Sequence, residues 1–202
     1  MKKLVIASNN PGKLREIEHL LAPLGVEIVP QAACGVTEAE EPHGTFIENA
    51  LAKARHASRL SGLPALADDS GICVDALGGE PGVHSARYAA EIDAGETQDE
   101  RNNRKLLAAL ADTSDRRAHY YCVIVLMHHA HDPQPLIAEA EWHGEVLRAP
   151  RGSGGFGYDP LFWIADLGKT GAELPLEVKN RISHRGKALA QLTTRLGAMR
   201  TD

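Results

Sequence analysis

The sequence predicts an α/β fold built on a mixed β-sheet. Residues 4–7 form a short apolar run that ends at a polar segment, residues 8–10, a pattern typical of a buried strand. Apolar residues then recur at helical spacing from 14 to 24, after a proline and before a glycine, the residues favoured at the two ends of a helix. Residues 26–29 indicate a second strand. A strand, a loop, a helix and a strand in this order indicate an α/β fold.

The middle of the chain contains two patterns that predict the start of a helix. Thr45 with Glu48, and Thr97 with Glu100, have the spacing at which both side chains satisfy exposed N–H groups of a first helical turn. We therefore expect one helix to begin after Thr45 and another after Thr97.

Loops and short strands are predicted around these two helices. Residues 32–44 indicate an acidic loop, and residues 78–96 a long loop rich in glycine and polar groups. Residues 65–67 and 72–74 indicate two short strands around a polar turn at 68–71.

The second half of the chain predicts a hairpin and a final helix. Residues 120–127 are strongly β-forming, and 136–146 are expected to return as an antiparallel partner. Residues 183–199 indicate a helix with its leucines facing inward. Because no repeat or linker interrupts the chain, we expect a single domain over residues 1–202, an elongated mixed sheet with helices at both sides that form two lobes around a cleft.

Composition limits the function classes. The 202 residues are enough to bury a core, and a formal net charge of −5 disfavours a protein that grips nucleic acid through its phosphates. Three widely spaced cysteines disfavour a disulfide scaffold and fit a reducing compartment. The apolar runs are too short for a secretion signal or a membrane span. We expect a cytoplasmic protein with no nucleic-acid or membrane partner.

Residues 8–13 predict a phosphate-binding turn. A strand leads into this turn and a helix leaves it, and the start of a helix offers N–H groups and a partial positive charge. Glycine at 12 allows close backbone approach, and lysine at 13 adds a full charge. The alternative is a well-capped turn with a solvated lysine. The six residues are Ser8, Asn9, Asn10, Pro11, Gly12 and Lys13.

The adjacent acids Asp68 and Asp69 predict a metal site. A carboxylate at the end of a strand is a usual place to hold Mg²⁺ or to activate water, and we expect that two adjacent acids do not both point into a core. Glu38, Glu40 and Glu41 supply further oxygen ligands if the acidic loop folds back. The alternatives are an Asx turn that starts a hairpin and a solvated acidic loop.

The glycine-rich segment at 152–157 predicts a ligand-binding loop. Its backbone lets a ligand approach closely, and the aromatic rings of Phe156 and Tyr158 offer faces on which a base stacks. The alternative is a loop that crosses between sheets, with both rings as packing residues.

Positive charge is concentrated at residues 179–187 in a protein that is acidic overall. Part of this segment lies near the start of the last predicted helix, where cations gain nothing from the helix dipole, and this conflict favours a functional role over a solvated basic face. The cationic residues are Lys179, Arg181, His184, Arg185 and Lys187.

A phosphate turn, a carboxylate pair, a stacking loop and a basic cluster are the parts of a nucleotide hydrolase. The sequence resembles the pyrophosphatases of non-standard purine nucleoside triphosphates, also called inosine or xanthosine triphosphate pyrophosphatases, along essentially the whole chain. The segments that carry the resemblance are SNNPGKLREI at 8–17, EEPHGTFIENALAKARHA at 40–57, ADDSGICVDALGGEPGVHSARYA at 67–89, GSGGFGYDPLF at 152–162 and SHRGKAL at 183–189.

This resemblance implies Mg²⁺-dependent cleavage of the α–β bond of triphosphates such as ITP, dITP and XTP. It implies a homodimer of two-lobed subunits with the substrate in the cleft, and triphosphate binding by residues 8–13. Asp69 is then the general base and a metal-linked carboxylate, with Ser70 beside the substrate and Asp68 in support. Glu40 is the matching metal position, and the adjacent Glu41 stays open. The remaining substrate-binding residues implied are Phe156, Gly157, Tyr158, Asp159, Lys179, His184 and Arg185.

Two other function classes fit the same parts. One is a pyrophosphatase of other nucleotides, such as modified pyrimidines, and the other is a sensor that holds a triphosphate without cleaving it. Intact Lys13, Asp68 and Asp69 favour catalysis over sensing. The acidic charge disfavours a purely structural or nucleic-acid-binding role.

Overall fold

The computed structural model describes residues 2–91 and 95–198, in which helices and strands alternate. The strands are β1 Lys3–Ile6, β2 Glu27–Pro30, β3 Ala65–Val74, β4 Arg117–Met127, β5 Leu136–Val146, β6 Phe162–Ile164 and β7 Lys169–Thr170. The α-helices are α1 Pro11–Leu21, α2 Phe46–Ser61, α3 Gln98–Ala109, α4 Leu176–Ile182 and α5 His184–Ala198. No helix in the described ranges is long and apolar enough to cross a membrane.

The described strands form one seven-stranded mixed sheet in the order β2-β1-β3-β4-β5-β6-β7. Strand β1 runs parallel to both of its neighbours, with Val5 opposite Val29 on one side and Ala65 on the other. Strand β6 runs antiparallel to β5 and to β7. The predicted α/β fold with a mixed sheet is therefore confirmed.

The chain forms two compact units, and β3, β4 and β5 contribute residues to both. Among the described residues, the first unit comprises 2–69, 122–140 and 184–198, and the second comprises 70–91, 95–121 and 141–183. Each unit has its own apolar core. The fully or nearly buried core residues of the first are Leu4, Ile6, Ile17, Leu21, Val26, Leu66, Cys122, Ile124, Leu126, Ala138, Ala188, Leu189 and Leu192. Those of the second are Ile72, Val74, Leu106, Leu110, Ala118, Tyr120, Trp142, Val146, Tyr158, Leu161, Phe162 and Ile164.

The predicted helix starts are confirmed. The side chain of Thr45 accepts a hydrogen bond from the backbone N–H of Glu48 at the start of α2. Thr97 and Glu100 form both halves of a capping box at the start of α3. Each cap satisfies a backbone N–H that has no partner within the helix.

The predicted polar turn at 68–71 is wrong, because β3 runs without interruption from Ala65 to Val74. The expectation that Asp68 and Asp69 would not both be buried is also wrong, since they are 2% and 5% exposed. Successive side chains of a strand point to opposite faces of the sheet, so each acid reaches its own set of cations.

Other predicted elements change at their boundaries. The loop predicted at 78–96 contains a 3₁₀ helix at Gly82–Arg87, and residues 92–94 lie outside the described ranges. The final helix spans His184–Ala198, and Met199, included in the prediction, also lies outside the described residues. The short elements α4, β6 and β7 have no counterpart among the predictions.

Candidate active site

Asp68 lies at the centre of a buried group of charges in the first unit. Its Oδ2 atom lies 3.0 Å from Lys13 Nζ and accepts hydrogen bonds from Arg185 Nη2 at 3.0 Å and Nε at 3.2 Å. Burial alone would raise the pKa of this carboxyl, but Lys13 and Arg185 outweigh burial and lower the pKa well below its usual value. Asp68 is therefore ionised and holds two cationic side chains in fixed positions.

Arg185 connects this group to α1. It is 1% exposed at the start of α5, and its guanidinium binds the carboxylate of Glu16 as well as that of Asp68. Glu16, Arg185, Asp68 and Lys13 thus form a buried row of alternating charges. Burying a charge is costly unless it is paired, and this row pairs every member.

Asp69 is held on the other face of β3 by α2. Lys53 Nζ lies 2.8 Å from Asp69 Oδ1 and 2.8 Å from Glu41 Oε1, and Asn49 Nδ2 donates a 3.4 Å hydrogen bond to Asp69 Oδ2. Burial raises the pKa of Asp69, and the nearby ammonium groups of Lys53 and Lys13 offset it only in part. A carboxylate with a raised pKa is a better proton acceptor, which suits a general base.

The carboxylates of Asp69 and Glu41 fit a Mg²⁺ ion. One oxygen of each carboxylate lies 2.8 Å from the ammonium of Lys53, so the two carboxylates lie close enough together to face one cation. Within residues 2–91 and 95–198 no three acidic, histidine or cysteine side chains group closely enough to hold a metal alone. Mg²⁺ needs only one or two carboxylates, with waters and phosphates completing its shell. Glu40, the other predicted ligand, is exposed, whereas Glu41 is half-buried.

The predicted phosphate turn forms the start of α1, and part of it is capped. Asn10 Oδ1 accepts hydrogen bonds from the backbone N–H groups of Gly12 at 2.8 Å and Lys13 at 3.1 Å. The backbone of Asn10 donates in turn to Ser8 Oγ at 3.2 Å, and Asn9 and Pro11 are exposed. The capped-turn alternative therefore holds for these two N–H groups, while the half-buried Lys13 provides a full positive charge at the helix start.

The second unit holds a separate cluster around the buried Asp159. Lys179 Nζ lies 2.6 Å from Asp159 Oδ2 and 4.7 Å from the ring centroid of Phe156. The backbone N–H of Phe156 also donates to Asp159 Oδ2, at 2.9 Å. Asp159 thus links the cation and the aromatic ring, while the ring itself stays half-buried.

Tyr158 faces the core of the second unit. It is 3% exposed, and its hydroxyl donates to the backbone carbonyl of Ser85 at 2.8 Å. Burial raises the pKa of this hydroxyl further above its already basic value, so it stays protonated and acts as a donor. Of the two roles considered for this ring, packing in the core describes Tyr158 better than stacking on a base.

The structure thus divides the predicted residues into two groups. Residues 8–13, Asp69 and Arg185 belong to the first unit, with His184, which is 5% exposed at the start of α5. Residues 156–159 and Lys179 belong to the second, as does the half-buried Ser70, which follows Asp69 in β3.

Sequence patterns alone do not single out Glu16, Asn49 or Lys53. Asn49 and Lys53 lie one turn apart on the buried face of α2, directly before the buried alanines Ala50 and Ala54. One sequence signal could have pointed to Asn49 and Lys53: a polar and a cationic residue occur with the same helical spacing as the core-facing alanines. Buried polar groups need partners, so such residues indicate an acidic group nearby.

Comparisons with known proteins agree along the whole chain. A family model described as the Ham1 family matches residues 4–195. A protein of Nitrosomonas europaea named dITP/XTP pyrophosphatase is 66% identical over 201 residues, 100% of this chain and 97% of that protein. A protein of Ralstonia nicotianae with the same name is 63% identical over 196 residues, 97% of each chain. The solved structure of a HAM1 protein from Coxiella burnetii has a TM-score of 0.88 and 49% identity, covering 98% of this chain and 100% of that one. This chain belongs to the Ham1 family.

Proposed function

We propose that this chain hydrolyses non-standard purine nucleoside triphosphates, such as dITP, ITP and XTP, to the nucleoside monophosphate and pyrophosphate. Relatives that are 66% and 63% identical are named dITP/XTP pyrophosphatase, which supports this substrate class. The observation that carries the proposal is the pair of buried aspartates in β3, because Asp68 binds Lys13 and Arg185 while Asp69 shares the ammonium of Lys53 with Glu41.

Asp69 is the general base in this proposal. It takes a proton from the water that attacks the triphosphate, and Lys53 and Asn49 hold the carboxylate in place for that transfer. Lys13 directs its charge toward the phosphates, and Asp68 fixes the position of Lys13. The pyrophosphate leaves as an anion, and the reaction passes through no covalent intermediate with the protein.

Mg²⁺ is the proposed cofactor, with Asp69 and Glu41 or Glu40 as its protein ligands. When bound, it would neutralise phosphate charge and stabilise the departing pyrophosphate. The choice between the two glutamates favours Glu41, because it shares Lys53 with Asp69.

The base end of the substrate is assigned to Phe156 and Lys179. The half-buried ring of Phe156 offers a stacking face, and the ammonium of Lys179, which pairs with Asp159 beside that ring, adds a positive charge that favours the oxygen at purine C6. Arg185 is assigned to holding Asp68 rather than to touching the base, because two carboxylates already bind its guanidinium. In keeping with the family resemblance, we further propose one catalytic domain over residues 1–202, a homodimer and a cytoplasmic location.

The test is pyrophosphate release with Mg²⁺ from ITP, XTP, dUTP, ATP and GTP. Donors that match the oxygen at C6 leave the amino group of adenine facing other donors, so kcat/KM for ITP and XTP should exceed that for ATP by at least about 10²-fold. Comparable values for ITP and ATP would contradict the substrate class. Release from dUTP alone would favour a pyrimidine enzyme, and tight binding without release would favour a sensor.

A further inference from the structure

Two side chains of helix α3 bind the backbone of Gly157 in the glycine-rich loop of the second unit. Asp99 Oδ2 accepts a 2.7 Å hydrogen bond from the backbone N–H of Gly157. Asn103 Nδ2 donates a 2.8 Å hydrogen bond to the carbonyl oxygen of the same residue. Asp99 and Asn103 lie one helical turn apart on one face of α3, so together they hold both polar backbone groups of Gly157.

The same residues also fix each other. Asn103 Nδ2 donates to the backbone carbonyl of Asp99 at 2.9 Å, which orients the amide toward the loop. Gly157 has a φ of +62° and therefore needs its backbone held in a conformation that most residues avoid. Asp159 accepts a hydrogen bond from the backbone N–H of Phe156. Together with Asp99 and Asn103, it fixes the backbone on both sides of the peptide bond between Phe156 and Gly157.

Helix α3 is itself firmly anchored. Its capping box fixes the first turn, and Leu106 packs in the core of the second unit. Asn102 accepts from the backbone of Ala89 at 2.8 Å and donates to the carbonyl of Ala86 at 3.1 Å. The side chains of α3 that bind Gly157 are therefore held in fixed positions, and they hold the backbone of Gly157 in place.

We propose that Asp99 and Asn103 are positioning residues that set the orientation of the Phe156 ring for the purine base. This inference rests on the proposed function. It separates two roles along α3, since Leu106 and Asn102 stabilise the unit, whereas the side chain of Asp99 is exposed and accepts a hydrogen bond from the loop. Because exposed groups contribute little to global stability, loss of Asp99 should appear in substrate binding and not in unfolding.

The experiment compares Asp99→Ala and Asn103→Ala with the wild-type protein in ITP hydrolysis. A hydrogen bond to a charged group is worth about tenfold or more in binding, so KM for ITP should rise about 10-fold while kcat changes less than about threefold. Asp99→Asn keeps an oxygen that accepts from Gly157 and should restore KM to within about threefold. Arg104→Ala is the matched control, because Arg104 lies on α3 and pairs only at the surface with Glu96, and it should behave as wild type.

Unchanged KM in both alanine variants would overturn the proposal. An equal rise of KM in Asp99→Ala and Asp99→Asn would also overturn the proposal. The same holds if the rise of KM in the alanine variants comes with a comparable loss of thermal stability, since that indicates a structural role. Titration with inosine monophosphate measures base binding without turnover. The two proposals can fail separately. If none of the proteins cleaves ITP, the proposed reaction fails. The positioning role still stands in that case if the alanine variants bind the monophosphate about 10-fold more weakly than the wild type does.

Discussion

Gly155→Ala and Gly157→Ala form a matched pair that tests whether Asp159 organises the ligand-binding loop. Both glycines have a positive φ, +71° at Gly155 and +62° at Gly157. They differ in what an added Cβ atom would meet. At Gly155 it would lie 2.1 Å from Asp159 Oδ2, whereas at Gly157 no atom of the described residues, apart from Gly157 and its two chain neighbours, would lie within 4 Å of it.

The two substitutions share the strain of a left-handed backbone, which is about 1–2 kcal/mol for a residue other than glycine. Only Gly155→Ala adds steric overlap with Asp159, whose burial and pairing with Lys179 prevent it from moving freely. Overpacking of this kind adds about 1–3 kcal/mol. We therefore expect Gly155→Ala to destabilise the protein by about 2–5 kcal/mol and Gly157→Ala by about 1–2 kcal/mol.

Urea unfolding measures this difference, and ITP hydrolysis measures its effect on the loop. A displaced Asp159 no longer holds Lys179 and the backbone of Phe156, so KM should rise in Gly155→Ala well above its value in Gly157→Ala. Equal stabilities and equal KM values in the two variants would refute the assigned role of Asp159.

Three further predictions concern the first unit. Lys53→Met should lower kcat roughly 10²-fold, because Asp69 loses the cation that holds it; pyrophosphate release at the wild-type rate would contradict this. Glu16→Gln should reduce the free energy of unfolding by about 3–5 kcal/mol, because it breaks a buried pair with Arg185, whereas the exposed control Glu18→Gln should change it by less than about 0.5 kcal/mol. Equal urea midpoints for the two variants would count against the buried row. Excess EDTA should abolish pyrophosphate release and added Mg²⁺ should restore it; full turnover in EDTA would exclude the proposed metal.

The sequence predicts well those elements that depend on local signals. The start of α1 after Asn10, the capping box of α3 and the bounds of β5 at Leu136–Val146 all follow from spacing and turn residues within a few positions. The short strands β6 and β7 contain three and two residues and are too brief to show a period.

Long-range pairing explains what the sequence does not predict. The uninterrupted β3 depends on cations that neutralise its two acids, and Arg185 lies 117 residues from Asp68 and 169 from Glu16. No local pattern reports such partners, so two adjacent aspartates indicate a polar turn when they in fact continue a buried strand. The role predicted for these carboxylates relies in part on a place at a strand end, and that premise is wrong because both lie within β3. The role stays a prediction that rests on the type of residue.

Asp69→Asn is the most direct test of the proposed reaction, because asparagine keeps the size of the side chain and cannot accept the proton of the attacking water. Single-turnover hydrolysis and equilibrium binding of ITP separate the chemical step from binding. With Asp69 as the general base, the variant binds ITP but its rate falls roughly 10²–10⁴-fold, whereas an exposed control, Asp166→Asn, keeps the wild-type rate. Hydrolysis by Asp69→Asn at close to the wild-type rate would contradict the assignment of Asp69 as the base.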